Sequence, residues 1–222
     1  MERNIRVTGK GTLAVRPDTI RLRITLQETL NEYNTALAAS SAMTEELKEN
    51  IDRLGFCRDD LKTVSFRIEA NYESFQDPAD KSWQRRFAGY TFEHQLKLEF
   101  PDERKRLGEV LYALAHTEAR PEIFMEYTVA DPQSVKNELL KKAVQDSLGK
   151  ARLLTAAAGV QLGALQTIDY SWGEIEMVSR PLDQTLAMDA VCTKACSSYQ
   201  MDLTPDDIHV DDTVTVTWQI TD

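Results

Sequence analysis

The sequence predicts an α+β protein: a mainly antiparallel sheet with about three helices packed on one face, ordered ββαββαβαβ, a long loop, then β. Three observations carry this. Apolar and polar residues alternate with period two through one segment after another, as strands with one covered face require. Three longer stretches carry apolar residues at helical spacing instead. The strands come largely in pairs with a helix between pairs, which argues against the regular βαβ succession of a parallel sheet.

The first two strands are 4–15 and 19–28. Ile5, Val7, Leu13 and Val15 alternate with polar residues in the first; Ile20, Leu22, Ile24 and Leu26 do so in the second. The break at Arg16-Pro17-Asp18 predicts that the two form an antiparallel hairpin. Asn31 is placed to cap a helix from about 32 to 54. Its apolar stripe is Tyr33, Leu37, Leu47, Ile51 and Leu54, with small Ser40 and Thr44 between, and Gly55 supplies the left-handed stop. Strand three, about 61–74, sets Val64, Phe66, Ile68, Ala70 and Tyr72 on one face. Strand four, about 87–100, does the same with Tyr90, Phe92, Leu96 and Leu98. The linker between them, SFQDPADKSWQRR, exceeds the commonest hairpin loops.

Pro101-Asp102 opens a second helix, about 102–116, with Leu107, Val110, Leu111 and Leu114 inward. Strand five follows at about 122–130. Asp131-Pro132 pairs a capping residue with proline at the first helical position. That third helix runs to about 158 on a stripe of Leu140, Val144, Leu148, Ala151 and Leu154, and Gly159 ends it. A sixth strand lies near 165–172. Residues 174–206 hold no sustained period and read as a long excursion with a short helix at 184–196. Val214, Val216, Trp218 and Ile220 alternate with polar residues in the last strand. Residues 1–222 read as a single domain.

With 42% hydrophobic and 28% charged residues, the 222-residue chain can bury a core without disulfides. Its formal net charge of −10 argues against nucleic acid, whose phosphates demand a basic surface, and against acidic membranes. No apolar run approaches the roughly 20 residues of a membrane span. Cys57, Cys192 and Cys196 are too few for a disulfide framework. The start, MERNIRVTG, has no apolar segment and no small-residue cleavage site. Together these features predict a cytoplasmic protein, with export as the alternative if the chain was trimmed.

Gly9, Gly11 and Ala14 fit G-x-G-x-x-A, a form of the dinucleotide-binding fingerprint. That motif functions only where a helix begins at the glycine loop and aims its N-terminal N–H groups at a pyrophosphate. Here the strand alternation runs through both glycines into a second strand, so they mark a bulge or a close backbone approach, and no cofactor is expected. His94, His116 and His209 fall in three separate elements, and no metal site is expected. His94 reads as a core histidine with satisfied nitrogens. No nucleophile elbow and no phosphate-binding loop is present, so no catalytic residue is assigned.

Two clusters remain. Phe75, Trp83, Arg85, Arg86 and Phe87 combine aromatic and arginine side chains, the usual anchors of protein interfaces; the alternative is that Trp83 folds back on its own hairpin. Cys192 and Cys196 share one face if helical and are candidate redox thiols, or two ordinary thiols.

The opening IRVTGKGTLAVRPDTIRLRI, the segment KKAVQDSLGKARLLTAAAGVQLGALQTI and the close PDDIHVDDTVTVTWQI together resemble SIMPL-domain proteins in order and spacing. The resemblance implies an α+β fold and no established catalytic activity. It covers exported bacterial envelope proteins linked to oxidative-stress tolerance, a periplasmic immunogenic protein that assembles into ring- or channel-like homo-oligomers, and a mammalian adaptor that binds a signalling kinase. It transfers no catalytic residue. The expectation is a non-enzymatic homo-oligomer or protein-interaction module linked to stress response. The alternative is a small-molecule binder or enzyme with a site between sheet and helices.

Overall fold

The structure is a computed structural model that describes residues 3–76, 81–171, 173, 175–180 and 203–221. Its strands are β1 (Asn4–Val15), β2 (Thr19–Leu30), β3 (Lys62–Gln76), β4 (Trp83–Pro101), β5 (Glu122–Thr128), β6 (Gln161–Asp169), β7 (Val178–Ser179) and β8 (Ile208–Thr221). Its helices are α1 (Tyr33–Arg53), α2 (Arg104–Ala115) and α3 (Pro132–Ala158), with a short 3-10 turn at Arg58–Asp60. The α+β class and the antiparallel pairing are as expected. The chain divides into two compact units, one of residues 1–18, 128–179 and 205–222, the other of residues 19–127 and 180–204.

In the first unit β8 is the central strand, with β1 and β6 antiparallel on either side. Alternation puts Val7, Val214, Val216 and Trp218 on the face covered by α3. Asp131 caps α3 by accepting a bond from the Ser134 N–H at 3.0 Å, and Gly159 closes it at φ 72°. The face α3 turns inward is Leu139, Ala143, Ser147, Ala151 and Thr155, offset from the stripe of Leu140, Val144, Leu148 and Leu154. The reason lies in β1. A Cβ built on Gly9 would stand 2.0 Å from the Ala143 carbonyl oxygen, and one on Gly11 would stand 2.1 Å from that of Leu139. Bare glycine backbone against small helical residues lets helix and strand approach closely, so the smallest side chains take the deepest positions. The buried hydroxyls of Ser147 and Thr155 donate to the helix's own carbonyls of Val144 and Ala151, at 2.7 and 2.9 Å.

The expected hairpin of the first two strands does not form. β1 pairs with β8, and β2 pairs with β4. The Arg16-Pro17-Asp18 connection is an anchor rather than a reversal: Asp18 N–H donates to the Thr128 carbonyl, and its carboxylate accepts the Ala130 N–H.

In the second unit β3, β4, β2 and β5 lie side by side in that order, with β2–β4 and β3–β4 antiparallel. α1 and α2 pack on one face around Ile20, Leu22, Ile24, Leu26, Phe92, Leu96, Leu98, Leu47, Ile51, Leu107 and Leu111. Arg106 lays its guanidinium 4.0 Å over the Phe56 ring at the margin of this core. The first turn of α1 departs from expectation. Glu32, not Asn31, takes the cap position, and no side chain caps it. Ala36 and Ser40 are buried there, whereas Tyr33 and Leu37 are exposed. β6 also differs, running Gln161–Asp169 rather than about 165–172, because Leu162 pairs with Ile220 directly after the Gly159 stop. The expected helix at 184–196 lies outside the described residues.

Candidate interaction surface

The linker expected between strands three and four is mostly strand. β3 continues to Gln76 and β4 begins at Trp83, so the two form a long hairpin arm in register from Tyr72↔Phe87 to Gln76↔Trp83. Its ladder is irregular at Thr63/Ser65 and at Asn71/Tyr72. The second irregularity leaves Ala88 unpaired beside Gly89, whose φ of 130° suits glycine, and keeps Phe87 on the same face as Tyr90.

α1 covers the β2–β4 half of that face and stops short of the arm. The apolar face expected to be buried on strand three is therefore open: Val64, Phe66 and Tyr72 are exposed. An aromatic run crosses it. Tyr33 on α1 meets Tyr90 edge-on at 5.6 Å, Tyr90 meets Phe87 at 5.1 Å, and Phe87 meets Tyr72 at 5.8 Å. Arg85 lies 5.2 Å over the Tyr72 ring. Trp83, at the end of this run, is 74% exposed and makes no ring contact among the described residues. It does not fold back on its hairpin.

Alternation divides the sequence-predicted cluster between two faces. Trp83, Arg85 and Phe87 lie with Tyr72 on the α1 face. Phe75 and Arg86 lie on the other, where Arg86 pairs with Glu73 and stacks 5.6 Å over the Phe75 ring. The arm thus offers two surfaces, one aromatic and one charged. Tyr33, Tyr72, Tyr90 and Phe66 belong to the aromatic one and were missed as site residues, because as alternating strand residues or helical stripe residues they read as core.

His94 marks where the covered part of this face ends. Thr44 Oγ1 donates to the Ser40 carbonyl at 2.7 Å, so toward His94 Nδ1, 3.1 Å away, it must accept. That fixes the proton on Nδ1 and leaves Nε2 to accept from Thr63 Oγ1 at 2.9 Å. Phe66 packs edge-on at 5.1 Å. Burial first, and the Lys48 charge second, hold the His94 pKa below its ordinary 6.5. Both nitrogens are satisfied by neutral partners, as expected, and the ring ties α1 to β3 across β4.

The opposite face of the sheet is polar. Arg21 bonds both Glu99, at 2.6 Å, and the fully buried Glu126, at 3.1 Å; Arg23 reaches the same Glu126 oxygen at 3.1 Å. Burial works against the charge of Glu99, but bonds from Arg21 and Lys97 outweigh it and lower its pKa. Cys57 is an exposed free thiol at the 3-10 turn. Cys192 and Cys196 lie outside the described residues.

Residues 5–218 match the SIMPL family, described as proteins of unknown function (DUF541). The chain belongs to that family. It is similar to the 26 kDa periplasmic immunogenic protein of Brucella melitensis, with 27% identity over 180 residues, 80% of this chain and 67% of the relative. The protein of that name from Brucella abortus matches with the same identity and coverage. Both relatives are named as periplasmic, and this overturns the cytoplasmic expectation: they point to export. Composition and charge describe the folded SIMPL domain and are indifferent to the compartment in which it works. No helix of the described residues is long and apolar enough to cross a membrane.

Proposed function

We propose that this SIMPL protein is a non-enzymatic interaction module that assembles into homo-oligomers through the aromatic face of the β3–β4 arm. The observation that carries the proposal is the aromatic run from Tyr33 on α1 through half-buried Tyr90 to exposed Phe87 and Tyr72, with exposed Trp83 on the same face past them. Aromatic side chains with a stacked arginine, held on paired strands, are what interface hot spots are made of. Solvent exposure of such a run gains the isolated chain nothing, whereas covering it removes apolar area from water at about 25 cal/mol per Å². The periplasmic relatives support an exported setting for this assembly, and the family resemblance adds stress tolerance as its context.

Replacing Trp83 and Phe87 together by alanine tests this. Both side chains are exposed or half-exposed, so the fold should persist while association weakens. Light scattering after size exclusion reads the result. Association unchanged in W83A/F87A would remove the arm from the assembly.

A further inference from the structure

We infer that the arm's partner is a second copy of the chain, joined edge to edge along β3 in an antiparallel register centred on Ile68. This inference rests on the self-assembly reading above and adds a second contact between copies, the free edge of β3, to the aromatic face.

β3 is an edge strand: among the described residues only β4 lies beside it. The chain guards one comparable edge. On β1, the Lys10 N–H donates to Asp146 at 2.8 Å and the Thr8 carbonyl accepts from Lys150 at 3.3 Å, so an α3 ion pair stands in for a neighbouring strand. β3 has no such guard among the described residues, carries no proline and is exposed along most of its length. A long, unguarded edge is a template for another strand.

The β3 ladder is regular from Ser65↔Gln95 to Asn71↔Gly89, between the irregularities at Thr63/Ser65 and Asn71/Tyr72. Ile68 is the midpoint of that run. A two-fold axis through Ile68 therefore maps the regular segment onto itself. It also makes the segment self-complementary. Arg67 faces the partner subunit's Glu69, and Glu69 faces the partner subunit's Arg67. Phe66 meets the partner subunit's Ala70 on the apolar face, and Ser65 meets the partner subunit's Asn71 on the polar face. Glu69 makes no hydrogen bond or ion pair among the described residues. Arg67 bonds Glu93 through one nitrogen, which leaves further N–H groups of its guanidinium to donate across the axis.

Other registers fit worse. Centres on Arg67 or Glu69 put like charges opposite each other. Centres between residues turn the partner's apolar face to the polar side. A centre on Ala70 pairs Arg67 with the partner subunit's Glu73 but runs through the Asn71/Tyr72 irregularity. The Ile68 register places the two aromatic faces on one side of a continuous sheet, as an isologous interface requires.

Charge reversal tests the register on the full chain. R67E and E69R should each weaken the dimer about tenfold or more, because two opposite-charge pairs become two like-charge pairs. The double variant R67E/E69R should restore wild-type affinity, an outcome that a folding defect in either single variant does not produce. In a C57S/C192S/C196S background, I68C should give a covalent dimer with a short bis-maleimide. S65C should not, since the two copies would stand about 20 Å apart along the strands. Self-association that ignores the charge reversals, or that leaves I68C uncrosslinked, overturns the register; if that association is still lost in W83A/F87A, the arm reading stands. A wild-type chain that stays monomeric at all concentrations overturns the dimer and the self-assembly reading together.

Discussion

Adding one methyl group at Gly9 should break the contact on which the first unit is built. The Cβ of G9A would stand 2.0 Å from the Ala143 oxygen and 2.5 Å from the Ser147 nitrogen, where ordinary contact is 3.4–4 Å. Both atoms are helix backbone, so no rotamer change relieves the clash. α3 has to retreat from β1 by more than 1 Å, which loosens the packing of Val7, Val216 and Trp218 beneath it. Overpacking costs about 1–3 kcal/mol where side chains can yield. With backbone on the far side, the top of that range is expected, about 3 kcal/mol. The gain of roughly 0.4–1 kcal/mol that Gly→Ala gives through the unfolded chain is too small to offset it. With an m-value of about 2 kcal/mol/M, the urea midpoint should fall by about 1.5 M. G149A is the internal control: this exposed helical glycine has nothing within 4 Å of an added Cβ. There the same substitution should stabilise by roughly 0.5–1 kcal/mol. A G9A protein that unfolds at the wild-type midpoint would refute the close-approach reading.

Three further outcomes follow from the geometry. D131A removes the side-chain cap at the start of α3 and should cost about 1 kcal/mol in urea unfolding. The His94 pKa is lowered on folding, so the unfolded chain binds more protons below its ordinary 6.5. His94 should therefore contribute a loss of stability as pH falls through 6.5 toward its folded pKa, and H94Q should flatten that part of the stability–pH curve. Asp146 is held below the usual carboxylate range by its bonds from Lys150 and the Lys10 N–H. D146A should accelerate hydrogen exchange of the Lys10 amide, measured by NMR, while amides in β2 keep wild-type rates.

Much of the fold was legible because its periods are strong. Alternation located the strands, and Asp131-Pro132 and Gly159 bounded α3 because caps and left-handed stops are local chemistry. Gly9 and Gly11 were read as a bulge or a close approach, since the strand period passed straight through them, and the structure shows the close approach. The misplaced parts depend on partners that no local signal names. Pro17-Asp18 looked like a reversal, but it is held by Thr128 and Ala130. On α3, glycines in a distant strand rotate the buried face from Leu140 and Val144 to Leu139 and Ala143. On β3, alternation promised a covered face, but a helix must lie above it, and α1 stops short. The interface cluster was half visible: Phe75, Trp83, Arg85, Arg86 and Phe87 were recognised as a group, but alternation sets Arg86 opposite Arg85 and Phe87, and the bulge at Ala88 turns Trp83, Arg85 and Phe87 to the α1 face, away from Phe75.

The most direct measurement is the mass in solution of the 222-residue chain and of W83A/F87A, by light scattering after size exclusion across a wide range of concentrations. Assembly through the arm predicts a fixed multiple of 25.2 kDa for the wild type and a shift toward the single-chain mass for the variant. A wild type at the single-chain mass throughout, or a variant that assembles as the wild type does, would contradict it.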